Sequence, residues 1–298
     1  MKLNAIPIED TFAEAFGMKA TRILITAIDL RWARQAGETM TGFATSVIGC
    51  GVEAGIEIEL TPDATPDGRP GVSVLMFDMS NKQLAKQLEK RVGQCVLTCP
   101  TTAVFAGMDG DDRLPLGKNL RFFGDGWQIS KLLGGRRYWR VPVMDGEFLV
   151  EETTARCKAV GGGNFLVLAR SQRAALTACE AAVAAMRPLP NVIMPFPGGV
   201  VRSGSKVGSK YKALMASTNQ AYCPTLHGIT PSNLSGEVRS VMEIVVNGLT
   251  PDDVSAAMRA GIQAACAGGP ESGVLRISAG NYGGKLGQFQ FRLHEVAA

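Results

Sequence analysis

Histidine is nearly missing from this sequence: His227 and His294 are the only two in 298 residues, and they lie far apart. Neither belongs to an H-E-x-x-H motif or a Cys/His cluster, so no zinc site is expected, since zinc needs three or four converging ligands. The G-x-S-x-G elbow is missing as well, which leaves Ser-His-Asp chemistry without support. Seven cysteines form no C-x-x-C pair, and an odd number in a chain of this length argues for reduced thiols. No apolar run approaches the roughly 18 residues of a membrane helix. MKLNAIPIEDTF meets acidic residues too early for a secretory signal, so a cytoplasmic protein is expected. The net charge of +4 is too small to argue for nucleic acid.

Acidic residues are locally absent too. Between Glu180 and Glu237 there are none, while Arg187, Arg202, Lys206, Lys210 and Lys212 all fall there. That segment is either a solvated basic face or a patch that attracts an anionic ligand.

What the sequence does contain is a repeated framework. After Ser80, with Gln83 at the box position, a helical stripe runs Leu84, Leu88, Val92, Val96. Adding 170 gives Thr250, Asp253, and the stripe Val254, Met258, Ile262, Cys266. Each helix follows a strand-like run, Val72 to Phe77 and Val241 to Val246. Earlier in each half, strand, helix, strand is expected again: Arg22 to Ile28 then Thr45 to Cys50, and Asn164 to Arg170 then Asn191 to Phe196. Asn119 to Phe123 is expected to close the first half as a strand, and Gly273 to Ser278 with Gly287 to Leu293 the second. Arg137 to Glu152 predicts a hairpin turning at Asp145-Gly146. The fold class is therefore α+β: two related ferredoxin-like (β-α-β-β-α-β) lobes from an internal duplication, residues 1–155 and 156–298. A small-molecule site is expected in a crevice between lobes.

Several glycine-rich runs invite nucleotide readings and fail them. GGVVRSGSK (Gly198 to Lys206) has the P-loop glycine spacing, but Ser205 and Lys206 stand in reversed order and Gly208 interrupts any helix start. Anion cradling by backbone N–H, Ser205, Ser209 and the lysines survives. In GGGNF (Gly161 to Phe165) the glycines precede a strand, which fits a flexible entry to the second lobe. FFGDG (Phe122 to Gly126) is compatible with a plain turn. SAGNYGGKLG (Ser278 to Gly287) is either a wide turn or a close backbone approach to a ligand or subunit. Glu243 is the sharpest anomaly, an acid inside the apolar run VMEIVV. It either faces solvent from a half-exposed strand or points into a crevice, where desolvation would keep it protonated and able to donate a hydrogen bond.

The strings IEDTFAEAF, TGFATSVI, TPDGRPG, RVGQCV, FFGDG, GGNF, FPGG, SKVGSK, ASTNQAYCPT, EIVVNGL and ISAGNYGGKLGQ occur in this order along the chain. Together they resemble formylmethanofuran:tetrahydromethanopterin formyltransferases over essentially the whole length. The resemblance implies two lobes of related α/β sandwich fold, a homotetramer, and, as in methylotrophic bacteria, association with formyl-hydrolase subunits that help convert formyl groups to formate. It implies transfer of a formyl group between the amine of a furan-type C1 carrier and N5 of tetrahydromethanopterin or a dephospho analogue. These carriers are co-substrates; no cofactor is held covalently, and no metal, nucleotide, nucleic acid or membrane takes part. The family's proposed acid lies in (Y/F)EIV(I/V)NG, which is MEIVVNG here, so that role falls on Glu243, with Met242 in place of the aromatic. The family's cleft segments carry over as Phe123, Gly124 and Asp125; Phe196, Pro197, Gly198 and Gly199; Ser205, Lys206, Ser209 and Lys210; Ser217, Thr218 and Asn219; and Tyr222. A different class of function, a non-catalytic carrier-binding or scaffolding subunit, is separated from this one by whether the purified chain turns over.

Overall fold

Strand β1 (Phe12–Thr26) leads into helix α1 (Leu30–Thr41), whose first turn is capped by Asp29, its carboxylate accepting from the Trp32 N–H at 3.0 Å. Strands β2 (Val52–Leu60) and β3 (Gly71–Asp78) follow, then helix α2 (Asn81–Arg91) and strand β4 (Ala103–Ala106). Strands β5 (Arg136–Val143) and β6 (Gly146–Glu151) form a hairpin, with Val143 opposite Gly146. The second half opens with β7 (Thr153–Ala169), α3 (Gln172–Met186) and β8 (Val192–Ile193). A small hairpin of β9 (Ser205–Val207) and β10 (Ala216–Thr218) precedes β11 (Ser240–Gly248), α4 (Pro251–Cys266), β12 (Val274–Ser278) and β13 (Phe289–Arg292).

In this computed structural model, which describes residues 1–298, the elements form two units, Met18–Ala159 and Met1–Gly17 with Val160–Ala298. The first carries strands in the order β2-β3-β1-β4, all antiparallel, with β6 added parallel to β4. The second carries β8-β11-β7-β12, again all antiparallel. This is a mixed α/β architecture, and each unit has its own apolar core. The first seventeen residues pack with the C-terminal half, where Phe12–Ala15 pair with Phe289–Arg292 and Ile6 and Ile8 enter the core. The expected division at 155/156 assigned them to the other lobe.

The two stripes offset by 170 are fully buried: Leu84, Leu88, Val92, Val96, and Val254, Met258, Ile262, Cys266. Each such aliphatic contributes roughly 1.5–3 kcal/mol relative to exposure. The first stripe reaches Val96 because α2 continues as a π-helical turn, Val92–Val96. Thr250 and Asp253 form a complete reciprocal capping box, whereas Ser80 contributes only the half that accepts from the Gln83 N–H.

Two expected strands take other forms. Thr45 to Cys50 is extended only at Thr45–Ser46; Ser46 then caps a short helix, Val47–Cys50, which left-handed Gly51 ends, and the strand comes downstream as β2. Asn119 to Phe123 lies in two short helical turns, Gly117–Leu120 and Arg121–Gly124. The fourth strand of that half is β4 instead, whose four residues are all buried and so show no alternation. Asn191 to Phe196 is a strand only at Val192–Ile193. No helix is long and apolar enough to cross a membrane.

Candidate active site

Side chains on β11 alternate with period two, and the alternation decides where its acid points. Met242, Ile244 and Val246 pack into the core beneath α3 and α4. Val241 packs on the opposite face, with Leu166 and Leu168 of β7 and with Leu234 and Val238. Glu243 shares that second face. The face is covered by the long connection between β8 and β11, which docks through Val201 onto the backbone of Glu243.

A cavity of about 520 Å³ opens there, lined by residues of the unit formed by Met1–Gly17 and Val160–Ala298. Of the residues proposed from sequence, Glu243, Ser205, Lys206, Thr218, Asn219 and Tyr222 share this wall. The others do not line it. Ser209 and Ser217 use their hydroxyls within the connection, Ser209 accepting from the Tyr211 N–H at 3.0 Å and Ser217 donating to Gly208 O at 2.7 Å. Lys210 is exposed in the loop that joins β9 to β10. Phe196, Pro197, Gly198 and Gly199 form the turn that leads into Val201, with Gly199 seated against Val183 of α3. Phe123, Gly124 and Asp125 belong to the Met18–Ala159 unit.

Burial pushes the Glu243 carboxyl up to about 7. Some solvent contact remains through the cavity mouth, yet the surrounding protein removes most of the hydration the ionised form would need. No hydrogen bond or ion pair engages the side chain, so nothing offsets that loss. An acid held near 7 is divided between its two forms at neutral pH, which suits proton donation and return.

Among the wall residues not assigned to the site from sequence are Asn164, Arg202, Arg239, Gly280, Asn281 and Tyr282. The last three come from SAGNYGGKLG, and the close backbone approach that its glycines allow is found at Gly280. A Cβ there would lie 3.6 Å from Glu243 Oε1 and 3.2 Å from Asn164 Oδ1. Asn164, nearly buried on β7, fixes the spot: its Oδ1 accepts from the Gly280 N–H at 2.6 Å and its Nδ2 donates to Gly280 O at 3.1 Å. The Tyr282 phenol is pushed up by burial and then by the neighbouring Glu243 carboxyl, while a hydrogen bond with Ser205 pulls it down. Arg202, Lys206 and Arg239 give the cavity three cations against one acid, a balance that favours an anionic ligand. Nothing in the local sequence around Arg239 marks it; only the fold brings it to the cavity.

The family model for formylmethanofuran-tetrahydromethanopterin formyltransferase matches residues 1–143, and the model for the proximal lobe of the same enzymes matches residues 146–296. The chain belongs to this formyltransferase family. A formylmethanofuran--tetrahydromethanopterin formyltransferase of Methylobacillus flagellatus is 68% identical over 302 residues, covering the whole of both chains. Among solved structures, a chain of the formyltransferase/hydrolase complex from Methylorubrum extorquens, crystallised with methylofuran, superposes with a TM-score of 0.98 at 52% identity. That match covers 100% of this chain and 99% of the other. The Methanosarcina barkeri formyltransferase superposes with a TM-score of 0.94 at 49% identity, covering 99% of this chain and 100% of that one.

Proposed function

We propose that this protein transfers a formyl group between the amine of a methanofuran-type carrier and N5 of a tetrahydromethanopterin, with Glu243 as the catalytic acid. The observation that carries the reading is the unpaired Glu243 carboxyl, held by burial near 7 in the wall of a cavity.

The attacking amine nitrogen bonds to the formyl carbon, and the carbonyl π pair moves onto oxygen. Collapse of the tetrahedral intermediate restores the carbonyl, breaks the bond to the first amine, and leaves that nitrogen to take a proton. No protein nucleophile is needed when both carriers are held together, an alignment worth up to about 7–11 kcal/mol of the barrier. The protonated Glu243 carboxyl donates to the developing oxyanion, a contribution of roughly 3–4 kcal/mol. It can then give its proton to the leaving amine and, as the carboxylate, take up the proton that the attacking nitrogen sheds. Arg202, Lys206 and Arg239 supply the charge that anionic groups on a carrier require. The remaining cleft segments, from Phe123 to Asp125 and from Phe196 to Gly199, belong to the same reading as carrier-binding groups.

The strand order supports a wider proposal. In each unit the fourth strand of the β-α-β-β-α-β series lies beside the first, then come the third and the second, an order that supports reading the units as ferredoxin-like lobes from a duplication. By likeness to the M. extorquens complex, the chain is read as a cytoplasmic, homo-oligomeric transferase core that joins formyl-hydrolase subunits. The test is direct: the purified chain, given a formylated furan carrier and tetrahydromethanopterin, should yield N5-formyltetrahydromethanopterin. Binding of both carriers without turnover would make it a scaffold instead.

A further inference from the structure

Glu14, on β1, is 1% exposed and has no cationic partner. Its two oxygens accept four backbone N–H bonds from one loop. Oε2 receives Tyr282 at 2.6 Å and Gly284 at 2.9 Å; Oε1 receives Leu286 at 2.7 Å and Gly287 at 2.6 Å. An ionised carboxylate offers about four acceptor sites, so this loop saturates it. Burial raises the Glu14 carboxyl, but the N–H donors of Gly287, Tyr282, Leu286 and Gly284 together hold it below its ordinary value. The approach requires glycine at 287, where a Cβ would lie 2.5 Å from Ala15 O and 2.7 Å from Glu14 Cγ. On the same strand the Phe16 ring packs against that of Tyr282, centroids 6.1 Å apart. The anchored loop delivers Asn281 and Tyr282 to the cavity wall beside Glu243.

We propose that Glu14 is a positioning residue for formyl transfer: by binding four N–H groups of the 282–287 loop it fixes Tyr282 against the reacting acid. The inference rests on the transfer reading above. Six charged or titratable groups share the cavity wall with Glu243: Arg202, Lys206, the Tyr222 phenol and the Cys223 thiol from the β8–β11 connection, Arg239 ahead of β11, and the Tyr282 phenol after β12. With Tyr282 in place, the access of water to the carboxyl is restricted to the cavity mouth. Once the loop is released, water and the three cations stabilise the ionised form, and the acid loses its proton at lower pH.

Glu14→Gln keeps the shape of the side chain but turns an NH2 group toward two of the four donors. Three measurements on the full-length protein test the clamp: the rate of trypsin cleavage after Lys285, the infrared titration of the Glu243 carbonyl band, and formyl-transfer kinetics. The band is identified by its loss in Glu243→Gln. In Glu14→Gln, cleavage should quicken about tenfold as the loop opens locally. The band midpoint should fall by about one pH unit, and kcat by roughly 10- to 100-fold as Tyr282 shifts, with circular dichroism unchanged. Wild-type values for cleavage and midpoint would overturn the proposal, as would a freed loop with unchanged midpoint and kcat. The infrared titration needs no substrate, so a wild-type chain that fails to transfer formyl would sink the functional reading while the clamp is still judged by the band. If Glu14→Gln does not fold, Leu286→Pro removes one donor from the loop side and is read in the same way.

Discussion

Val201 and Glu243 exchange both backbone hydrogen bonds, Val201 N–H to Glu243 O at 2.7 Å and Glu243 N–H to Val201 O at 2.9 Å. The start of the basic connection is thereby registered on the residue that carries the acid. Arg202 follows Val201 directly, so a wall cation is placed by the same bridge that places the carboxyl. Acid and cation are set by one backbone contact, which makes the site sensitive to the register of this segment.

Glu243→Ala should lower kcat by about 100-fold or more while leaving the fold intact, because a donor to the oxyanion is lost. Steady-state kinetics with circular dichroism as a control decide it. Near-normal turnover would move the acid role to another group.

Glu243 also ties stability to pH. Its folded value, about 7, lies above the ordinary 4.5, so the native state holds this proton more tightly than the unfolded chain does. The stability that comes with the neutral form is fully present below about pH 4.5 and is lost as pH rises through 7. Glu243→Gln, which has no proton to lose, should be as stable as wild type at pH 4.5 and more stable at pH 8.5. Urea midpoints for the two proteins at both pH values would show it; a constant difference would mean that the carboxyl is not desolvated.

The two lysines of SKVGSK should behave differently. Lys206 lines the cavity and Lys210 stands exposed in the loop that joins β9 to β10. Lys206→Ala should raise KM for the furan carrier by about tenfold, the worth of one charge-assisted contact, with little change in kcat. Lys210→Ala should leave both constants near wild type. Equal effects would mean that the carrier extends over the outer surface of the loop.

Thr250→Ala should destabilise the C-terminal unit by about 1 kcal/mol, with activity retained at low temperature. The substitution removes the acceptor for the Asp253 N–H, 3.1 Å away, and the hydroxyl that donates to the Asp253 carboxylate, which keeps its bonds from the residue 250 N–H and from Asn191 Nδ2. Chemical denaturation measures the loss.

The helices at an offset of 170 were legible because capping residues and period-3.6 stripes are local signals, and the four-residue spacing survives intact in both halves. β4 was not, because a four-residue strand buried on both faces shows no alternation, and NLRFF was expected to close the half instead. In NLRFF the aromatics Phe122 and Phe123 are exposed, which no local pattern announces. For the site, Glu243 stood out as an acid among aliphatics, but its direction depended on which face the helices cover. Arg239 and Asn164 could not be found from sequence because their neighbours in space, Glu243 and Gly280, are fixed by strand pairing. SAGNYGGKLG carried a readable signal in its glycines without showing that Glu14, near the other end of the chain, would hold it.

That last pairing bears on how the molecule is made. Residues 1–17 are synthesised long before their strand partner, Phe289–Arg292, and before the loop that Glu14 holds. Until translation reaches Phe289–Arg292, Phe12–Ala15 lack their strand partner, and the Glu14 carboxylate lacks its four donors until residues 282–287 are made. The core that holds Ile6 and Ile8 is likewise incomplete at that stage, because Phe291, Leu293 and Val296 belong to it.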